Sequence, residues 1–269
     1  MISIICVFNN KTILEKHLLK SLGNQTNDYE LIFLNNEKNQ YACAAEALNE
    51  GGQKAKGEYL LFVHQDMELG SATWLEEAGE FLKSLPDLGV AGVAGKPEFQ
   101  KGVMTNLRHG NPPELAGEIQ INGPRKVQTV DECLAIIPRS LFNKVQFDEK
   151  ACFDWHLYVV DYCLTVKTFG YATYVLPLPG YHRSTGAYLS DNYYLTLKNV
   201  ISKHKSKQKK IHTTVHVWKT GSPIRVQIFL KSINLKINKS LHLMIVLLEF
   251  CRLKEPIKSL LAKLLPQKL

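Results

Sequence analysis

Ile2–Phe8 is nearly all apolar and β-branched, the pattern of a strand buried on both faces. Lys11–Leu22 then places Ile13, Leu14, Leu18, Leu19 and Leu22 along one helical stripe. The alternation repeats. Tyr29–Leu34 reads as a strand ending in Asn35-Asn36, and Ala42–Ala55 as an Ala-rich helix. Tyr59–Val63 is a third strand running into His64-Gln65-Asp66, followed by a helix over Thr73–Leu85 that Pro86 closes. Gly89–Gly95 predicts a fourth strand, Val130–Ile137 a fifth and Tyr171–Leu176 a sixth. Asp154–Phe169 predicts a helix with Leu157, Val160, Leu164 and Val166 on its apolar face. Between Lys96 and Arg125 Gly and Pro accumulate, which predicts a long surface excursion. Strands alternating with helices at this spacing predict an α/β fold with a mainly parallel central sheet flanked by helices.

Composition changes this picture in one respect. The 269 residues are 45% apolar and 22% charged, which excludes wholesale disorder. The net charge of +8, however, is unevenly spread. Residues 1–197 hold 17 Lys+Arg against 23 Asp+Glu, or −6, and residues 198–269 hold 16 against 2, or +14. The expected division is therefore a domain over 1–197 and a basic, largely helical extension over 198–269. The run Lys203–Lys210 has no apolar side chain and reads either as a solvated loop or as a contact for an anionic surface. Ile257, Leu260, Leu261, Leu264 and Leu265 follow amphipathic spacing among lysines, as in a helix lying on a membrane surface or packing on protein. No basic segment precedes the apolar opening, and the run Leu243–Leu248 is too short to span a bilayer. The six cysteines form no Cys-x-x-Cys pair, so reduced thiols are expected. A cytoplasmic protein, peripheral at the inner membrane face if the tail docks there, fits these features.

In an open parallel sheet, ligands bind beyond the carboxyl ends of the strands. Three such ends carry polar residues here: Asn9-Asn10, Asn35-Asn36 and His64-Gln65-Asp66. A carboxylate just past a strand can hold Mg²⁺ or Mn²⁺, which grips a diphosphate in turn. The competing reading is a turn cap at Asp66 and an ordinary strand-end histidine at His64.

The stretch Lys54–Asp66 resembles the A-x-G-x-Y-hydrophobic-D-x-D segment of family-2 glycosyltransferases of the GT-A fold, with His64-Gln65-Asp66 in place of D-x-D. Ile2–Asn10 resembles their first strand, and Ala47-Leu48-Asn49-Glu50-Gly51 their A-R-N-x-G helix. A subgroup with H-Q-D also has an apolar-Asp-x-Cys-Leu helix and a His-x-Ser. Tyr158–Leu164 and His182-Arg183-Ser184 correspond to these. The resemblance spans about residues 1–190 in consistent order.

The resemblance implies a nucleotide-sugar transferase. Phe8, Asn9, Asn35, Asn36, Asn49, His64 and Gln65 would surround a UDP- or GDP-sugar, with an Asn amide replacing the usual Asp against the base. Asp66 and His182 would hold a divalent metal. One carboxylate with one or two imidazoles suits Mn²⁺ better than Mg²⁺. Asp131 and Glu132 fall where the family places acceptor-side residues, and Trp155 is an acceptor-side candidate by stacking on a sugar ring, the acceptor being a glycan or a lipid-linked sugar. Tyr181 and Tyr188 are further candidates for stacking on sugar, and Arg183 for pairing with the diphosphate. The family's catalytic base falls on Val159, which cannot serve. Asp161 is then the first candidate base, Asp154 the second by a shared helical face, and His156 the third. Two other functions compete: a nucleotide-sugar-binding protein without turnover, and a nucleic-acid-binding module acting through the tail. No aromatic residue interleaves Lys203–Lys210, so nucleic acid is not expected as a partner.

Overall fold

A computed structural model of the chain describes residues 1–184 and 189–230. Strands β1 (Ile2–Phe8), β2 (Tyr29–Asn35) and β3 (Tyr59–Val63) alternate with helices, as the apolar spacing predicts. Helix α1 (Lys11–Leu14) continues through a π-helical turn (Glu15–Leu19) into α2 (Lys20–Leu22), and α3 (Ala44–Lys54) follows β2. After β3 come β4 (Met67–Leu69) and helix α4 (Trp74–Ser84). The expected strand over 89–95 divides into β5 (Leu88–Gly92) and β6 (Ala94–Lys96). The Gly- and Pro-rich stretch is more ordered than a plain excursion. It contains the short strands β7 (Met104–Thr105), β8 (Leu107–His109), β9 (Glu114–Leu115) and β10 (Arg125–Val127), with Met104, Thr105 and Leu107 buried. Beyond it lie β11 (Thr129–Val130), β12 (Leu134–Pro138), α5 (Arg139–Phe142), α6 (Tyr158–Lys167), β13 (Ala172–Val175), β14 (Gly180–His182), α7 (Asp191–His204), β15 (Lys210–His212) and β16 (Val217–Lys219).

The central sheet has the order β10-β13-β5-β12-β3-β1-β2. Strands β3, β1 and β2 are mutually parallel, as are β13 and β5, whereas β12 runs antiparallel to both its neighbours and β10 antiparallel to β13. Burial on both faces explains the continuous apolar sequence of β1 and β3. Ile2, Ile4, Cys6, Leu61 and Val63 point into the main core with Leu14, Leu18, Leu22, Trp74 and Leu82. By the two-residue period, Phe62 faces the other way. There its ring meets Phe142 and Phe147 at 5.2 and 5.1 Å between centroids. Helix α3 lies close on the sheet because it carries glycine at 51, where a Cβ would come within 2.5 Å of Ile5.

Two compact units divide the chain, Met1–Thr220 and Gly221–Leu269. The expected boundary at residue 197 therefore falls inside a unit, within helix α7. The hairpin β15–β16 explains why the first unit runs on to Thr220. Gln128 Nε2 donates to the Lys210 carbonyl at 3.1 Å, and its Oε1 accepts from the His212 N–H at 2.6 Å. The Thr129 hydroxyl donates to the His212 carbonyl, and Ile211 and Trp218 are fully buried. The amphipathic stretch around Ile257–Leu265 lies outside the described residues. Among the described residues no helix is long and apolar enough to cross a membrane.

Helix α6 begins at Tyr158, four residues later than expected. Leu157 is left-handed, at φ 68°, and its N–H is taken by the Glu132 carboxylate. On α6, Asp161 is buried and ion-paired to α7, with Oδ2 at 2.7 Å from Lys203 Nζ and Oδ1 at 2.8 Å from His204 Nε2. Removing the charge of one partner in a buried pair leaves the others uncompensated. Asp161→Asn is expected to cost about 3 kcal/mol, a fall in Tm of roughly 6 to 12 °C for a unit of this size. Thermal unfolding measures it, and an unchanged Tm would show the pair contributes nothing.

Candidate active site

The antiparallel pairing of β14 with β4 sets His182 opposite Met67. His182 thereby stands beside Asp66, across 116 positions of chain. The Arg183 N–H donates to the Asp66 carbonyl at 3.1 Å, which fixes the pair. His64, two residues before Asp66, is held by its N–H to the Cys133 carbonyl at 3.0 Å. Its ring centroid lies 5.5 Å from that of His182. One ligand atom each from His64, Asp66 and His182 lies within 4.8 Å of the others, the one such group among the described residues.

These three residues fit a divalent cation. His182 Nε2 lies 3.3 Å from Asp66 Oδ1, yet it is buried and makes no aligned hydrogen bond. A buried nitrogen whose hydrogen-bonding geometry is incomplete is costly unless something else binds it. Burial pushes the His64 imidazole down to about 4, aided by the charge of His182 and opposed by Asp66, so it is neutral and ready to ligate. Burial acts to raise Asp66, but the contact and charge of His182 with the charge of His64 hold its carboxyl down to about 2. The set is an ionised carboxylate with two imidazole nitrogens, which suits Mn²⁺ better than Mg²⁺.

A cavity of about 310 Å³ opens on one side, lined by Phe8, Asn9, Asn36, Asn39, His64, Gln65, Asp66, Trp155 and His156. Gln65 ties two strand ends together: its Oε1 accepts from the N–H groups of Asn9 and Asn10 at 3.1 and 3.0 Å, and its Nε2 donates to Asn9 Oδ1 at 2.7 Å. Asn36 is buried, its Oδ1 accepting from the Tyr41 N–H at 3.0 Å. A second cavity of about 260 Å³ shares the walls His64, Asp66 and His156 and adds Asp131, Glu132, His182, Tyr193 and Thr214. The Asp131 carboxylate accepts from the Thr214 hydroxyl at 2.5 Å and from the Cys133 N–H at 3.1 Å. Burial acts to raise it, but that hydroxyl and the charge of His182 keep it below the usual carboxylate range. Glu132 is the opposite case, with burial and the Asp131 charge pushing its carboxyl up to about 8.

Most sequence candidates thus meet at one sheet edge, and six do not join them: Tyr181, whose hydroxyl donates to the Gly110 carbonyl at 2.9 Å, the exposed Arg183, and four more. Asp161 lines neither cavity, because its carboxylate is spent on Lys203 and His204. Asp154 precedes the helix and lines neither cavity, so the shared helical face with Asp161 does not exist. Asn49 is buried under the sheet, where its Oδ1 accepts from the Phe147 N–H and its Nδ2 donates to the Phe147 carbonyl, both at 3.0 Å. The Asn35 side chain turns to Glu37, with Oδ1 accepting from its N–H at 2.8 Å and Nδ2 donating to its carboxylate at 3.0 Å. Sequence reasoning missed Asn39, Tyr193, Thr213 and Thr214. The last two sit at the hairpin turn, and the alternation of Ile211 and Trp218 with Lys and His was the signal available for it. Tyr188 lies outside the described residues.

A sequence model of the glycosyltransferase-like family matches residues 2–214. The chain belongs to that family. No curated protein matches its sequence. Solved structures show the fold of this family member to be of the GT-A type. S. aureus TarS 1-349 in complex with UDP-GlcNAc superposes with TM-score 0.50 at 17% identity, over 75% of this chain and 66% of that one. The mannosyltransferase PcManGT from Pyrobaculum calidifontis, in complex with GDP-Man and Mn²⁺, gives 0.52 at 13% identity, over 77% and 65%. GalNAc-T7 with UDP, GalNAc and Mn²⁺ gives 0.54 at 12%, over 76% and 48%. The matched region thus spans no more than about two thirds of those chains.

The raised Glu132 carboxyl has a consequence for stability. The folded state keeps this proton up to about pH 8, whereas an unfolded glutamate releases it near its ordinary 4.5. Between those values the folded state binds more protons, so this group makes stability fall as pH rises. Glu132→Gln is expected to flatten the decline of Tm between pH 5 and 8. An identical slope in both proteins would show that Glu132 titrates normally.

Proposed function

We propose that this protein transfers a sugar from a UDP- or GDP-sugar to a glycan or lipid-linked acceptor, with a divalent metal, Mn²⁺ in preference to Mg²⁺, and with inversion at the anomeric carbon. The observation that carries this reading is the convergence of His64 and Asp66, just past the end of β3, with His182 of β14, between two cavities. Membership of the glycosyltransferase-like family supports it, as do the nucleotide sugars bound to proteins of the same fold.

The first cavity takes the nucleoside. Phe8 offers a ring face, and Asn9, Asn36 and Asn39 offer amides to a base or ribose edge. Trp155, about one third exposed, stands at the mouth, placed to cover the sugar. His64, Asp66 and His182 would hold the metal, which neutralises charge on the departing diphosphate. The acceptor enters the second cavity, where Asp131, Glu132 and His156 orient its hydroxyl. Residues 198–269, at +14, suit a lipid-linked acceptor at an anionic membrane face on the cytoplasmic side.

A thermal-shift screen of nucleotide sugars with and without Mn²⁺ tests the reading. At least one UDP- or GDP-sugar is expected to raise Tm only when metal is present, and Asp66→Ala and His182→Ala are each expected to abolish that rise. A variant that responds like the parent would remove its residue from the metal set. Release of nucleoside diphosphate in the same mixture separates an enzyme from a protein that only binds the donor.

A further inference from the structure

With valine at 159 and Asp161 locked to α7, neither the family's usual position nor the nearest aspartate can take the acceptor's proton. A third cavity, of about 280 Å³, supplies the missing geometry. Ala94, Val103, Leu107 and Ala116 give it an apolar floor on the far side of His182. It shares Asp131, His182, Ser184, Thr214 and Val215 with the second cavity, so these residues form the passage between the two. Asp131 is the one carboxylate in that common wall. Neither Asp66 nor Glu132 lines the third cavity, and Glu132 is engaged with the Leu157 N–H.

Asp131 is also held in place. Its N–H donates to the Ala94 carbonyl at 2.9 Å, and one carboxylate oxygen takes the Cys133 N–H. The other takes the hydroxyl of Thr214 at 2.5 Å. Thr214 occupies the turn of the β15–β16 hairpin, where the Thr213 N–H donates to the His216 carbonyl at 2.9 Å and the His216 N–H to the Thr213 hydroxyl at 3.0 Å. The family match ends at residue 214, so the second hairpin strand, which steadies this turn, lies beyond it.

We propose that Asp131 is the base that accepts the acceptor's proton and that Thr214, from the basic segment, is its positioning residue. This rests on the transferase reading above. In the step, the acceptor O–H proton passes to the Asp131 carboxylate while the acceptor oxygen bonds to the anomeric carbon. The bond from that carbon to the diphosphate oxygen breaks, and its electron pair leaves with the nucleoside diphosphate. Asp131 returns the proton to water after release. The apolar floor of the third cavity accommodates the non-polar face of a sugar ring or the start of a lipid chain, with only the reacting hydroxyl turned to the carboxylate.

Water serves as the acceptor in the test. The full chain is mixed with Mn²⁺ and, in turn, UDP-glucose, UDP-GlcNAc and GDP-mannose; binding is read by thermal shift and hydrolysis by nucleoside diphosphate released. Asp131→Asn is expected to keep the metal-dependent donor shift and to lose hydrolysis by about 100-fold or more. Thr214→Val is expected to lower kcat about tenfold with the donor KM unchanged, and Thr214→Ser to restore it. Parent-like hydrolysis by Asp131→Asn overturns the assignment. So does loss of its donor shift, which would place Asp131 with the metal ligands. Equal impairment of Thr214→Val and Thr214→Ser overturns the positioning role. A parent that no donor stabilises in the presence of Mn²⁺ counts against the transferase reading itself.

Discussion

Three antiparallel residue pairs, Gly180–Leu69, Tyr181–Glu68 and His182–Met67, decide whether this protein has a site at all. Side chains alternate along a strand, so a slip of one residue would turn His182 away from Asp66 and present Tyr181 instead. Several contacts guard the register. Met67 and Leu69 are buried in the main core, and Glu68 between them is held by His17 at 2.7 Å. Trp74 Nε1 donates to the Pro179 carbonyl at 2.9 Å, and the Gly70 N–H reaches the same carbonyl at 3.2 Å. A Cβ at residue 70 would come within 2.7 Å of that oxygen, so glycine is what lets the two strands close.

Once His182 is in register, electrostatics shapes the remainder of the site. Asp66 and Asp131 are held below the ordinary carboxylate range, while burial leaves His64 neutral and Glu132 protonated near neutral pH. Two carboxylates that stay ionised therefore line the same cavity. Under the proposed function, a divalent ion at His64, Asp66 and His182 would supply balancing charge where a diphosphate also needs it. Neighbouring carboxyls with opposite shifts are how one pocket sustains different proton roles.

The sequence showed the framework of the fold more clearly than the site's second half. Ile2–Phe8, Tyr29–Leu34 and Tyr59–Val63 were legible because strands buried on both faces demand unbroken apolar runs. Their ends pointed to Asp66 and its neighbours because the topology collects strand ends in one place. Asp161 misled because spacing along a helix says which residues share a face, not whether another helix covers it. Helix α7 covers this one, and Lys203 with His204 takes its charge. Asn49 misled in the same way: an amide in a recognised segment can serve a loop as readily as a ligand, and here the Phe147 backbone claims it. The hairpin was hidden by brevity. Strands of three residues, with Lys210 and His212 around Ile211 and Val217 and Lys219 around Trp218, carry too little periodicity to stand out from a charged linker.

That hairpin also changes what the basic charge means. Of the +14 after residue 197, residues 198–220 hold 7 Lys+Arg and no Asp or Glu, and residues 221–269 hold 9 against 2, so each half contributes +7. The first half belongs to the unit that carries the site. Part of it is already committed there, since Lys203 is spent on Asp148 and Asp161. Composition alone therefore does not separate charge that serves the fold from charge left at the surface. Two uncharged residues of the same segment, Thr213 and Thr214, line the second cavity, and no count of charges would single them out.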